Sequence, residues 1–217
     1  MIPKIIHYCW FGGNPLPEIA VKCINSWKKY FPDYEIKEWN EDNFDLNCCE
    51  YVKEAYQAKK WAFVSDYARF WILYNYGGLY FDTDVEVIKD MSDIIANGAF
   101  MGCEVADKCA PGPGLYKEIL ENYKQSHFLN SDGSNNYETV VDCTTNILKR
   151  YGFKESDTIQ KIADIIIYPP EYFCPMDYTT GKLNITENSR SIHWYDASWL
   201  DDHLKKEDWK VRRLEIP

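Results

Sequence analysis

The chain has 217 residues, with 24 basic against 34 acidic side chains and a formal charge of -10, giving a pI near 4.9. A surface this negative repels phosphate backbones over about 8 Å at physiological salt, which argues against non-specific nucleic-acid binding. A hydrophobic fraction of 46% with 27% charged residues excludes the disordered class.

In chain order, residues 2–10 are apolar and β-prone, and residues 11–17, rich in Gly, Asn and Pro, have loop chemistry. Pro17 opens a helix that carries Ile19, Ile24 and Trp27 toward the core. A turn at Pro32-Asp33 leads to an alternating strand over 34–39, and a helix is expected from about Glu50. From Trp61 onward, Val64, Tyr67, Ala68, Trp71 and Ile72 recur at the spacing of a buried helix face. Asp66 and Arg69, three apart, are neighbours on another face of that helix. Gly77-Gly78 ends it, and Leu79-Tyr80-Phe81 reads as a short buried strand that finishes in Asp82-Thr83-Asp84.

Beyond this, residues 100–104 read as a strand, 111–114 as a loop, 115–125 as a helix and about 139–151 as a second helix. Residues 165–168 and 191–194 read as late strands, and 199–213 as a closing helix that carries Lys205, Lys206, Lys210, Arg212 and Arg213. Strands alternating with helices argue for the α/β class. No linker divides the chain, so one domain is expected over 1–217. None of the eight cysteines forms C-x-x-C, the first residues lack a signal-peptide core, and no apolar run reaches about 18 residues. A cytoplasmic location with free thiols is the expectation.

Four places carry candidate chemistry. Asp82 and Asp84 either mark a charged strand end or turn, or, as two carboxylates at i and i+2 of a strand, project to one side and share a hard divalent cation whose other ligands are phosphate oxygens. Asp66 and Arg69 are either a surface ion pair or, among Trp61, Phe63, Tyr67 and Trp71, a buried pair with a polar task such as holding sugar hydroxyls. The segment His193-Trp194-Tyr195-Asp196-Ala197-Ser198-Trp199 is either structural, with a satisfied histidine and packing tryptophans, or offers an imidazole that would complete a Mn-type site. Trp10, at the end of the first strand, either packs in the core or stacks on a planar ligand.

The segments Ile2-Pro3-Lys4-Ile5-Ile6-His7-Tyr8-Cys9-Trp10, Asp66-Tyr67-Ala68-Arg69 and Tyr76-Gly77-Gly78-Leu79-Tyr80-Phe81-Asp82-Thr83-Asp84 together resemble the sugar-nucleotide glycosyltransferases of family 32. That group includes capsular-polysaccharide transferases and, distantly, the glucosylating domain of large clostridial toxins. The resemblance implies a GT-A fold, Rossmann-like, with a mixed central sheet flanked by helices. Residues up to about 110 would form the nucleotide-sugar half, and 111–217 the acceptor half with a closing C-terminal segment. It also implies Mn²⁺ or Mg²⁺ as cofactor and retaining transfer of a hexose from a nucleotide sugar, UDP-linked, to a glycan or lipid-linked acceptor.

On that resemblance Trp10 would stack on the base, Asp66 and Arg69 would hold the donor sugar, and Asp82 and Asp84 would bind ribose and metal-diphosphate. His193 or Asp196 would add a metal ligand, and Ser198 and Trp199 would position the leaving diphosphate. The departing phosphate oxygen would take the acceptor proton in a same-face substitution. The rival readings are a glycoside hydrolase with paired carboxylates and a non-catalytic sugar-binding module. The basic tail is either a solvated helix face or a peripheral contact for an anionic membrane.

Overall fold

The structure, a computed structural model, describes residues 2–105, 108–109 and 113–195. Strand β1 (Ile5–Cys9) is buried along all but its first residue, as expected of a strand with parallel neighbours on both sides. Helix α1 (Glu18–Tyr30) begins one residue after Pro17 and buries Ala20, Cys23, Ile24 and Trp27. It returns the chain to β2 (Glu35–Trp39), parallel to β1 with Ile6 opposite Ile36. Helices α2 (Glu50–Gln57) and α3 (Trp61–Tyr76) follow, and β3 (Leu79–Tyr80) pairs with the other edge of β1 in the order β2-β1-β3.

The rest of the ladder falls into two further small sheets. Strand β4 (Val85–Val87) pairs antiparallel with the last described strand, β9 (Ser191–His193), with Val85 opposite His193. Between them lie α4 (Ser92–Ala96), β5 (Phe100–Val105), β6 (Lys108–Cys109), α5 (Pro113–Gln125), α6 (Val140–Arg150), β7 (Gln160–Ile162), β8 (Ile165–Tyr168) and α7 (Pro170–Phe173). The third sheet runs β6-β5-β8-β7, with β5 and β8 parallel and both outer pairs antiparallel. Thr139 caps α6, its hydroxyl accepting from the Asp142 N–H at 3.2 Å.

Two hydrophobic clusters hold these layers. One gathers Cys9, Trp39, Phe63, Val64, Tyr67 and Ile72 with the apolar faces of α5 and α6. The other gathers Ile6, Tyr8, Trp27, Phe31, Phe81 and Phe173. The α/β class is as expected, but among the described residues three small sheets stand where one mixed central sheet was anticipated. The short elements β4, α4, β6, β7 and α7 were not foreseen, since two to five residues carry too little periodicity to read. Helix α5 starts at Pro113, inside the anticipated loop.

The expectation of free thiols holds for Cys9, Cys23, Cys48, Cys49, Cys143 and Cys174. It fails at Cys103, which is disulfide-bonded; Cys109 stands opposite it in the β5–β6 register. Among the described residues no helix is long and apolar enough to cross a membrane. The anticipated closing helix and its basic residues lie outside the described residues.

Candidate active site

The site forms where three elements meet at the carboxyl end of β1. Helix α3 supplies Asp66 and Arg69, the turn after β3 supplies Asp82 and Asp84, and β9 supplies His193. The turn is held in place from below. The Phe81 N–H donates to the His7 carbonyl at 3.1 Å, and the Val85 N–H closes back on the Asp82 carbonyl at 3.0 Å. Asp82 and Asp84 therefore flank a turn and do not share a strand face. This corrects the expected geometry, because β3 stops at Tyr80, before the pair.

The two carboxylates face different partners. Arg69 Nη2 donates to Asp66 Oδ1 at 2.9 Å and Nη1 to Asp82 Oδ2 at 3.1 Å, so one guanidinium ties the helix to the turn in a forked contact. The guanidinium carbon sits 5.0 Å from the centre of the Tyr80 ring. The pair is not a surface ion pair, because the Arg69 and Asp66 side chains are only 17% and 10% exposed. Burial pushes the Asp66 carboxyl up to about 7 against the opposing pull of Arg69, while Asp82 and Glu104 push it further.

Asp84 turns toward β9, where its Oδ1 lies 3.2 Å from His193 Nε2. The Trp194 N–H also donates to the Asp84 carbonyl at 3.0 Å. Burial works against a charged His193, but the Asp84 carboxylate and the Cys174 thiol override it and hold the imidazole well above its ordinary pKa. Tyr195, with φ of 49°, lays its ring against His193 at 4.1 Å between centroids.

Glu104 was not read from the sequence as a site residue. It is the penultimate residue of β5 (Phe100–Val105), at a register irregularity between Cys103 and Val105, and a single acidic residue in a strand carries no signal of its own. Burial raises its carboxyl above the ordinary range; His193 and Arg69 pull it down, and Asp82 and Asp84 push it up. All four of those groups belong to the site.

Trp10 occupies a different position. Its indole N–H donates to the Asn14 carbonyl at 2.6 Å, and its ring lines a cleft of about 480 Å³ with Gly12, Asn14, Glu38, Glu41 and Tyr56. The Gly12 N–H donates to Glu41 Oε1 at 2.5 Å, which fixes the loop that forms one wall. Asp196, Ser198 and Trp199 lie outside the described residues.

The available donors, two carboxylates and an imidazole, suit a hard or borderline divalent cation. Among the described residues, however, no three His, Cys, Asp or Glu side chains converge as a ready cage. Asp82 is drawn onto Arg69 and Asp84 onto His193. A cation would displace at least one of these contacts and complete its shell from ligand oxygens.

Residues 17–101, which include α1, α3 and the Asp82–Asp84 turn, match the glycosyltransferase sugar-binding region containing DXD motif. The chain is similar to inositol phosphoceramide mannosyltransferase 1 of Schizosaccharomyces pombe, at 28% identity over 46% of this chain and 33% of that one. Inositol phosphoceramide mannosyltransferase 3 of the same yeast is 34% identical over 43% of this chain and 27% of its own length. Mannosyl phosphorylinositol ceramide synthase CSH1 of Saccharomyces cerevisiae is 25% identical over 94% of this chain and 57% of its own. The chain thus spans between about a quarter and three fifths of these relatives. Among solved structures, PaToxG Glycosyltransferase matches with a TM-score of 0.45 and 18% identity over 69% of each chain.

Proposed function

We propose that this chain transfers a hexose from a nucleotide sugar to a hydroxyl of a glycan or lipid-linked acceptor, on a GT-A-type scaffold and with retention at the anomeric carbon. The observation that carries the reading is the buried Asp66–Arg69–Asp82 bridge, set within a matched sugar-binding region. A guanidinium held between two carboxylates is fixed in orientation, and it presents its remaining donors to a polyhydroxylated, anionic ligand.

Asp84, with Asp82 and His193, would hold a divalent cation such as Mn²⁺, which when bound neutralises the charge of the leaving diphosphate. The chain's own residues position the reactants. Arg69 orients the donor, and the bond from the anomeric carbon to the phosphate oxygen breaks as the acceptor oxygen bonds to that carbon on the same face. The acceptor proton passes to the departing phosphate oxygen, so the step needs no water-activating base. A hydrolase with opposed carboxylates needs two such groups across the sugar, about 5 to 5.5 Å apart for retention, whereas here Asp66 and Asp82 are both bound to one arginine.

The named relatives put mannose beside the UDP-linked hexoses as a donor sugar to be tried, and inositol phosphoceramide as a lipid acceptor. The deciding experiment is nucleotide release with Mn²⁺ from UDP-glucose, UDP-galactose and GDP-mannose, with and without acceptor. Turnover of one donor that Asp84→Asn abolishes supports the reading. Metal-independent cleavage of a simple glycoside, or sugar binding without turnover of any donor, overturns it.

A further inference from the structure

Strands β2, β1 and β3 end at one level. Cys9 pairs with Trp39 on one side, and on the other the register of His7 with Tyr80 sets Cys9 level with Asp82. Trp10, Asn40 and Glu41 therefore leave the sheet on the same edge as the Asp82–Asp84 turn, with the two outer strands about 10 Å apart. That is the carboxyl edge, where open α/β sheets bind their ligands. The cleft of about 480 Å³ at Trp10 is its β1–β2 side.

The donors around this cleft are engaged within the protein. The Trp10 indole N–H is taken by the Asn14 carbonyl at 2.6 Å. The Gly12 N–H and the Tyr56 hydroxyl both donate to Glu41 Oε1, at 2.5 and 3.3 Å. Asn40 Nδ2 donates to Glu38 Oε1, and the Asp42 N–H donates to Asn40 Oδ1, each at 2.9 Å. What the lining retains is acceptor capacity, in Oε2 of the half-buried Glu41 and the carboxylate of the exposed Asp42. Among the described residues no Lys or Arg lines the cleft, so its three carboxylates repel a phosphate. Trp10, with its N–H taken, offers a ring face alone, which suits a flat, uncharged group.

We propose that the base held in this cleft is guanine and that the Glu41 carboxylate selects it. An ionised carboxylate only accepts, and guanine carries two donors side by side, its N1–H and its N2 amino group. Uracil has one N–H between two carbonyl oxygens, and those oxygens would lie against Glu41 and Asp42 with no donor between them. Adenine and cytosine each set a ring-nitrogen lone pair beside the amino group, where the same carboxylate would meet it. The Asn14 side-chain amide, also in the lining, is the donor type that guanine O6 requires. The inference rests on the nucleotide-sugar reading and adds to it the identity of the base and the residue that reads it.

The test is calorimetry with Mn²⁺ on wild type and Glu41→Gln, with GDP, IDP, UDP and ADP as probes. IDP carries hypoxanthine, which is guanine without the N2 amino group. Wild type should bind GDP at least about tenfold more tightly than UDP or ADP, with IDP between. Glu41→Gln keeps an oxygen for Gly12 and Tyr56 but turns the second acceptor into a donor. Its GDP affinity should fall by about tenfold or more while its UDP affinity holds or rises. UDP bound as tightly as GDP, or GDP and IDP bound alike, overturns the proposal on wild type alone, whether or not the variant folds. A GDP preference that survives Glu41→Gln overturns it too, as does an equal loss of GDP and UDP, which would make Glu41 only a support of the Gly12 loop. Transfer from a UDP-linked sugar in preference to a GDP-linked one sinks this proposal and leaves the transferase reading standing. A wild type that binds none of the four nucleotides and turns over no donor sinks both.

Discussion

Trp39 donates its indole N–H to Nδ1 of the fully buried His7 at 3.1 Å. An indole nitrogen can only donate, so Nδ1 must accept. His7 is thereby set as the tautomer whose Nε2–H is offered to the Gly77 carbonyl, also at 3.1 Å. One neutral imidazole thus links β1, β2 and the glycine turn that launches β3 toward Asp82. Burial lowers its pKa to about 4 from 6.5, with the Gly77 carbonyl opposing and Lys37 adding to the fall.

A pH dependence of stability results. Between pH 6.5 and about 4 the unfolded chain takes up a proton that the folded chain excludes. The contribution of this group is fully present above pH 6.5 and is lost as pH falls toward the folded pKa. The loss should approach about 2 to 3 kcal/mol for one buried imidazole. Urea midpoints measured from pH 7.5 to 4 should fall steadily for wild type and less steeply for His7→Gln. Parallel slopes would remove His7 as the cause.

Arg69 compensates two carboxylates at once, so its removal leaves buried charge behind. Arg69→Ala should destabilise the chain by about 3 to 5 kcal/mol. Arg69→Lys keeps the charge but cannot reach both Asp66 and Asp82 with a planar fork, and should fall between. Asp66→Asn placed on Arg69→Ala should recover part of the loss, because it removes the more deeply buried of the two stranded charges. Denaturant melts of these proteins and of Asp66→Asn alone check this, and an additive double mutant would contradict it.

Asp84→Asn preserves the side-chain shape and can still meet His193, so its circular-dichroism spectrum should match wild type. Its Mn²⁺-dependent affinity for UDP or GDP should nevertheless drop by about 100-fold or more, since even indirect supports of metal ligands cost about 10- to 100-fold. Calorimetry with and without Mn²⁺ reads this directly. Full metal-dependent binding by the variant would remove Asp84 from the metal site.

The sequence made the candidate site legible where spacing carries meaning. Asp66 and Arg69 lie three apart on an apolar helix, and α3 (Trp61–Tyr76) with its Gly-Gly stop brings them to Asp82. Sequence spacing left a shared strand face and a turn both open for Asp82 and Asp84, and could not choose between them, because β3 ends on a hydrogen bond to His7, seventy-odd residues earlier in the chain. Glu104 was invisible for a similar reason: its electrostatic coupling to Arg69, Asp82, Asp84 and His193 joins segments far apart in the chain. The register that sets Val85 against His193 likewise joins segments about a hundred residues apart, and neither alone contains it. The α/β class was readable from alternation, while the division into three small sheets was not, since two- and three-residue strands leave no period.

Gly78 shows how tightly the turn depends on the chain beneath it. Its φ is 88°, a region open to glycine, and a Cβ there would lie 2.6 Å from the Ile5 carbonyl oxygen. That oxygen belongs to the backbone of β1 and cannot swing aside as a flexible side chain could. Gly133 shares the positive φ, at 82°, but a Cβ there meets nothing within 4 Å. Gly133→Ala should therefore carry the conformational penalty alone, about 1 kcal/mol, and leave nucleotide release intact. Gly78→Ala should carry that penalty plus the overlap, about 3 kcal/mol or more. It should also slow nucleotide release, because relief of the clash must move β3 and draw Asp82 away from Arg69. Equal melts for the two variants would show that β1 yields easily, and the turn would then not be the element that positions Asp82.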